Sequence, residues 1–161
     1  GMIHAAPAMA AFAIRTCAYT PPHSNGLSPD SPLDAVIAVH GPAITREFTR
    51  LRARMNQRAF SVFQAEIGYL QCATQSKPES FYCEAQSAES WPALAAVLTP
   101  DRVARLHSAG YADPGRAPNY GRTYIASDVT DEGMATEMLT LLSEVYGFNG
   151  ATKLVIKTEK P

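Results

Sequence analysis

Glycine-rich phosphate loops, CxxC pairs, HExxH helices and G-x-S-x-G elbows are all missing from these 161 residues. Their absence removes the sequence signatures of nucleotide binding, zinc hydrolysis and α/β-hydrolase chemistry. No apolar run approaches the roughly 20 residues of a membrane-spanning helix. There is no excess of charge either. Fourteen basic against fifteen acidic residues leave a net charge of −1, so bulk charge offers neither a nucleic-acid footprint nor an acidic sink. Cysteine is scarce: Cys17, Cys72 and Cys83 are too few for a disulfide scaffold, and an odd number leaves one unpaired within a monomer. A reducing, cytoplasmic setting follows as the expectation. The apolar stretch from Ala5 to Ile14 is broken by Pro7 and preceded by no Lys or Arg, so it lacks the charged start of a secretory signal. What is present, 46% hydrophobic and 18% charged residues, suits one globular domain that buries roughly 70% of its unfolded surface.

Residues 1–43 are set apart by proline. Six of the twelve prolines lie there (Pro7, Pro21, Pro22, Pro29, Pro32, Pro42), with only Arg15, Asp30 and Asp34 charged. This reads as an arm and loop belonging to the same domain. Phe12, Ile14 and Ala18 suit a strand, while Ser24-Asn25-Gly26 and Ser28-Pro29-Asp30-Ser31 are turn chemistry. From residue 44 the pattern becomes periodic, and Ile44, Phe48, Leu51 and Met55 predict a helix over about residues 43–57. Alternation then predicts strands at 60–63, 67–74 and 80–85, the last two joined by a turn at Gln75-Ser76-Lys77-Pro78. Leu70 and Cys72 would share the buried face with Phe81, Cys83 and Ala85. Tyr69, Gln71, Tyr82 and Glu84 would face the other way. Cys72 and Cys83 are then cross-strand neighbours able to form a disulfide, as an oxidation product or the mark of a periplasmic protein.

After an apolar connector at Trp91 to Leu98, Thr99 and Pro100 start a short helix that Gly110 closes. A strand at 120–126 follows. Asp128 is placed to cap a long helix carrying Met134, Met138, Leu142 and Val145, with Gly147 at its end, and Leu154-Val155-Ile156 forms a last strand. The layout is α+β: a twisted antiparallel sheet packed against two to three helices, with residues 44–161 as the main body.

Chemistry-bearing residues are dispersed. His4, His23, His40 and His107 have no second ligand at chelating spacing, and Cys72 and Cys83 fall on inward faces where a thiol is inert. Residues 44–58 carry +4 and residues 128–147 carry −5, an arrangement read as solvated faces or a mutual ionic match. The aromatic candidates on the open sheet face keep company with Gln71 and Glu84 in place of basic residues, which argues against RNA. No catalytic residue, cofactor or metal site is assigned.

One set of residues carries a family likeness: Tyr69-Leu70-Gln71-Cys72, Leu98-Thr99-Pro100 through Leu106 with Gly110-Tyr111, Pro118-Asn119-Tyr120, and the run from Leu139 to Tyr146-Gly147. Over about residues 44–158 the chain resembles the bacterial TY-Chap superfamily, which groups type III secretion chaperones of the Tir-chaperone kind with YbjN-like proteins. The resemblance implies an α+β sandwich, often dimeric, that holds a protein or peptide client without catalysis. The leading expectation is therefore a non-enzymatic, chaperone-like binding module that reads its client on an exposed sheet face carrying Tyr69, Gln71, Tyr82 and Glu84, or along an open sheet edge. The competing readings are a small-ligand site or enzyme built from Tyr120, Arg122, Tyr124, His107 and the loop at Asp113, and a self-associating regulator that exchanges its proline-rich arm.

Overall fold

A computed structural model describes residues 14–16 and 31–160. His4, His23, Cys17 and most of the proline-rich arm lie outside the described residues. The elements are β1 (Ile14–Thr16), α1 (Pro32–Arg52), β2 (Phe60–Gln64), β3 (Tyr69–Ser76), β4 (Glu79–Ala85), α2 (Pro100–Ser108), β5 (Tyr120–Ile125), α3 (Asp131–Tyr146) and β6 (Val155–Thr158). The strands form one sheet in the order β1-β6-β2-β3-β4-β5, every neighbouring pair antiparallel. The fold is α+β, with helices packed against the sheet.

The first helix is longer at its start than the apolar period suggests. Ser31 accepts from the Asp34 amide at 3.1 Å and caps it, and Pro32 occupies the first turn, where its fixed φ and missing N–H cost nothing. The helix therefore begins at Pro32, not near residue 43, and it ends at Arg52, not 57. Pro42, which reads as a breaker, sits inside it on the exposed side. The other boundaries are sharper. Thr99 caps α2, Gly110 and Gly147 take left-handed conformations at φ 89° and 74° after α2 and α3, and Thr130, instead of the expected Asp128, accepts from Gly133 N to cap α3.

Alternation along the strands produces two chemically different faces. Phe63, Leu70, Cys72, Phe81, Cys83, Ala85, Tyr124 and Ile156 point toward the helices and join one core with Ile44, Phe48 and Leu51 of α1 and Met134, Met138, Leu142 and Val145 of α3. Phe48 stands between Phe63 and Phe81, with ring centroids 5.8 and 5.2 Å away. Each buried Phe, Leu, Ile, Val or Met here contributes roughly 1.5–3 kcal/mol, and this face is what holds the helices down. Cys72 and Cys83 are direct partners in the β3–β4 register and form a disulfide with Cα atoms 4.1 Å apart. Cys72 Sγ also packs 3.7 Å from Met138 Sδ.

The oppositely charged segments meet. Arg52 reaches Asp131 at 2.9 Å and the carbonyls of Ala126 and Val129, while Arg105 pairs with Glu144 at 2.5 Å. Arg50 joins Glu47 at 3.2 Å and Glu159 at 2.6 Å, and the Ser61 hydroxyl donates to Glu47 at 2.6 Å. Arg50, Arg52 and Arg105 thus fasten helices to their neighbours. Among the described residues no helix is long and apolar enough to cross a membrane.

Candidate functional site

The second face of the sheet begins from strand parity. Tyr69, Gln71, Tyr82 and Glu84 do lie on the side away from the helices, but the expectation that they are exposed is corrected. Tyr69 and Glu84 are 0% exposed and Gln71 is 2% exposed, with Tyr82 half-buried. Among the described residues two features contribute to this. Phe60, Val62 and Tyr69, with Ala73, make a second small apolar cluster on this face, and the segment after β4 folds back over its end.

Asn119 is the clasp of that segment. Its Oδ1 accepts from Ser87 N at 3.0 Å and from Ser90 Oγ at 2.9 Å, while its Nδ2 donates to the Tyr69 hydroxyl at 3.0 Å. Ser87 Oγ also donates to the Pro118 carbonyl. One asparagine can do this because its amide offers both donors and an acceptor. Beside it, Gln71 Nε2 donates to Glu84 Oε2 at 2.8 Å. Burial pushes the Glu84 carboxyl up to about 7, only partly offset by its hydrogen bonds to Gln71 and Asn119. Tyr82, whose hydroxyl would overlap a Cβ at Gly121, is also raised, first by burial and then by Glu84.

What stays open on this face is a cleft of about 360 Å³ lined, among the described residues, by Gln64, Glu66, Gln86, Ser90, Trp91 and Lys157. The register explains the gathering. Gln64 pairs with Tyr69 across β2 and β3, Gln86 continues the ladder by donating its N–H to Tyr69 O at 3.1 Å, and Lys157 lies opposite Val62 one row along. Trp91 forms the wall. It is 42% exposed and, with Ile67 at 41%, makes the pair of large exposed apolar side chains among the described residues.

Among the described residues, one buried polar atom in this cleft lacks a hydrogen-bond partner, and a largely buried lysine in the same lining has no carboxylate. Gln86 is 2% exposed, yet its Oε1 has no hydrogen-bond partner among the described residues. Lys157 is 6% exposed and burial lowers its pKa. No carboxylate among the described residues lies within ion-pair distance of it. Glu84 is on the same row of the sheet but three strands away, about 14 Å at ordinary strand spacing. Buried polar groups are usually satisfied, so an amide without a partner and an ammonium without a carboxylate, both lining one cleft, mark this as the candidate site.

The other expected site resolves differently. Tyr120, Arg122 and Tyr124 share the helix-side face of β5. Arg122 donates to the Ala109 carbonyl and reaches Glu137 at 3.5 Å, its guanidinium 4.0 Å from the Tyr124 ring centroid. Tyr124 Oη lies 3.0 Å from the Tyr111 hydroxyl and 3.1 Å from Glu137, and burial drives both phenols well above their ordinary pKa. His107 and Asp113 meet at 2.6 Å on the surface, and the His107 ring stands 6.3 Å from Tyr120. His107 thus gathers with Asp113 and Tyr120, while Arg122 and Tyr124 are engaged with one another and with Glu137 of α3. His40 is buried against Phe148 at 5.4 Å. Among the described residues no group of three or more His, Cys, Asp or Glu is placed to hold a metal.

The cleft residues escape sequence reasoning except by parity: Lys157 alternates with inward Ile156, and Gln86 continues the Tyr82, Glu84 series. Trp91, the single tryptophan, reads only as part of an apolar connector. No family model, curated protein or solved structure matches the chain.

Proposed function

We propose that this chain is a non-enzymatic, chaperone-like module that binds a protein or peptide partner, in keeping with the TY-Chap resemblance of residues 44–158, and that the partner enters the cleft beside Trp91. The observation that carries this reading is the unpartnered Gln86 Oε1 in a cleft that a half-exposed tryptophan also lines. A buried amide without a partner costs about 1–3 kcal/mol, a cost that a peptide group entering the cleft would relieve. Tyr69, Gln71, Tyr82 and Glu84 then act as the floor behind the site, with Tyr69 and Asn119 holding the segment that carries Ser90 and Trp91. The cytoplasmic placement expected from the cysteine count belongs to this proposal too. The Cys72–Cys83 bridge weighs toward an oxidising compartment, and mass spectrometry of protein alkylated at harvest decides between them.

Site-specific photo-crosslinking tests the binding surface. A photoreactive residue at Ile67, beside the cleft-lining Glu66, should capture a discrete partner in the source cell. The same residue at Arg46, exposed on α1 against the opposite face of the sheet, should not. Equal capture from both positions, or capture from Arg46 alone, rejects the cleft as the binding surface.

A further inference from the structure

The chemistry of the cleft is more specific than peptide binding in general. Gln86 makes no side-chain hydrogen bond among the described residues and is nine-tenths buried. Its Oε1 is the buried acceptor left over, and a primary amide, which also carries an N–H donor, is the complement of a peptide unit that offers one of each. Lys157, 6% exposed, adds a compact cation with no carboxylate within ion-pair distance among the described residues, and a cation partly withdrawn from water is costly until an anion meets it. Trp91 gives an apolar wall for one side chain. At about 360 Å³ the cleft stands at the small end of ligand sites, roughly 300–1,000 Å³. It admits the tip of a chain and excludes an α-helix about 10 Å across.

Resting on the peptide-binding reading above, we propose that the cleft recognises the free C-terminus of a polypeptide. The terminal carboxylate pairs with Lys157, the last peptide group pairs with the Gln86 amide, and the terminal side chain packs on Trp91. A simple aliphatic acid supplies the charge but not the N–H. A free amino acid replaces the neutral N–H with an ammonium, which the neutral Gln86 amide stabilises poorly, and Glu66 is a solvated rim charge that compensates little. The terminus of a chain satisfies all three groups together.

Trp91 is the single tryptophan and reports the site directly by its fluorescence. The native protein is titrated with acetyl-glycyl-leucyl-phenylalanine as the free acid, with the same peptide as its C-terminal carboxamide, and with acetate. The free acid should bind at least about 10-fold tighter than the carboxamide, as a charge-assisted hydrogen bond predicts, and acetate should leave the emission unchanged. Lys157→Gln should abolish the difference between the two peptides, and Gln86→Leu should weaken both. Equal affinity for acid and carboxamide overturns the terminal-carboxylate assignment and leaves the peptide cleft standing. A response to acetate as strong as to the peptide acid reduces the site to an anion site and overturns the proposal. If neither peptide binds while Ile67 still captures a partner, the terminus proposal fails alone; if capture fails too, both readings fall. The comparison of acid with carboxamide uses the native chain, so it does not depend on a variant folding.

Discussion

Tyr146 lies against Gly68 so closely that a Cβ there would come within 2.8 Å of its ring, while its hydroxyl donates to the Gln86 carbonyl at 2.6 Å. Gly68 needs no unusual φ; it is required by contact. One ring at the end of α3 thus fixes both the β2–β3 turn and the residue whose amide floors the cleft. Gly68→Ala should destabilise the fold by about 1–3 kcal/mol, as overpacking does, and a urea titration would show it. Adding Tyr146→Leu should recover part of the loss, and failure to do so would place the strain elsewhere. The same scale shows why the cleft was illegible in the sequence. Gln71 meets Glu84 across the strand pair, but the partner that Tyr69 and Glu84 share, Asn119, comes from a loop, and no local periodicity announces it. Strand parity correctly separates Leu70 and Cys72 from Tyr69 and Gln71, but it cannot tell a solvated face from one that an asparagine has clasped shut.

At the scale of elements, periodicity and capping chemistry carried most of the fold. Thr99-Pro100, Gly110 and Gly147 act where their chemistry places them, since a left-handed position or an N-terminal donor is a local demand. α1 is the exception. Its start is written in Ser31-Pro32 and Asp34, but the same residues serve turns, and Pro42 masks the continuity. Ser31→Ala should cost about 1 kcal/mol by removing the cap, seen as a lower thermal midpoint, whereas Ser31→Asp should retain it. The β3–β4 hairpin carries the second prediction at this scale. Cys72 and Cys83 are 11 residues apart, and cross-linking a loop of that size stabilises by roughly 2–3 kcal/mol in the chain-entropy account. Equilibrium urea unfolding with reductant present should fall to a lower midpoint. An unchanged midpoint would mean that the pairing of β3 with β4 persists in the unfolded chain without the bridge.

Across the whole molecule, two carboxylates on β4 and just beyond β6 answer to pH in opposite directions. Glu84 is held neutral: burial raises it from 4.5 to about 7. Between those values the unfolded chain has released a proton that the fold retains, so stability is full below pH 4.5 and falls by roughly 3 kcal/mol as pH rises toward 7. For Glu159, burial alone would raise the pKa, but hydrogen bonds from the Phe60 amide and Arg50 bring it below the ordinary value. Its contribution is present above the ordinary carboxylate range and is lost as pH falls through the folded pKa. The two slopes meet near pH 4.5–5, on the acid side of neutrality. Denaturant midpoints measured from pH 3 to 8 should therefore peak in mild acid. Glu84→Gln, which keeps a polar partner for Gln71, should flatten the alkaline limb, and Glu159→Gln should flatten the acid limb. A native maximum at neutral pH, or an alkaline limb that survives Glu84→Gln, would show that Glu84 is ionised within the folded sheet.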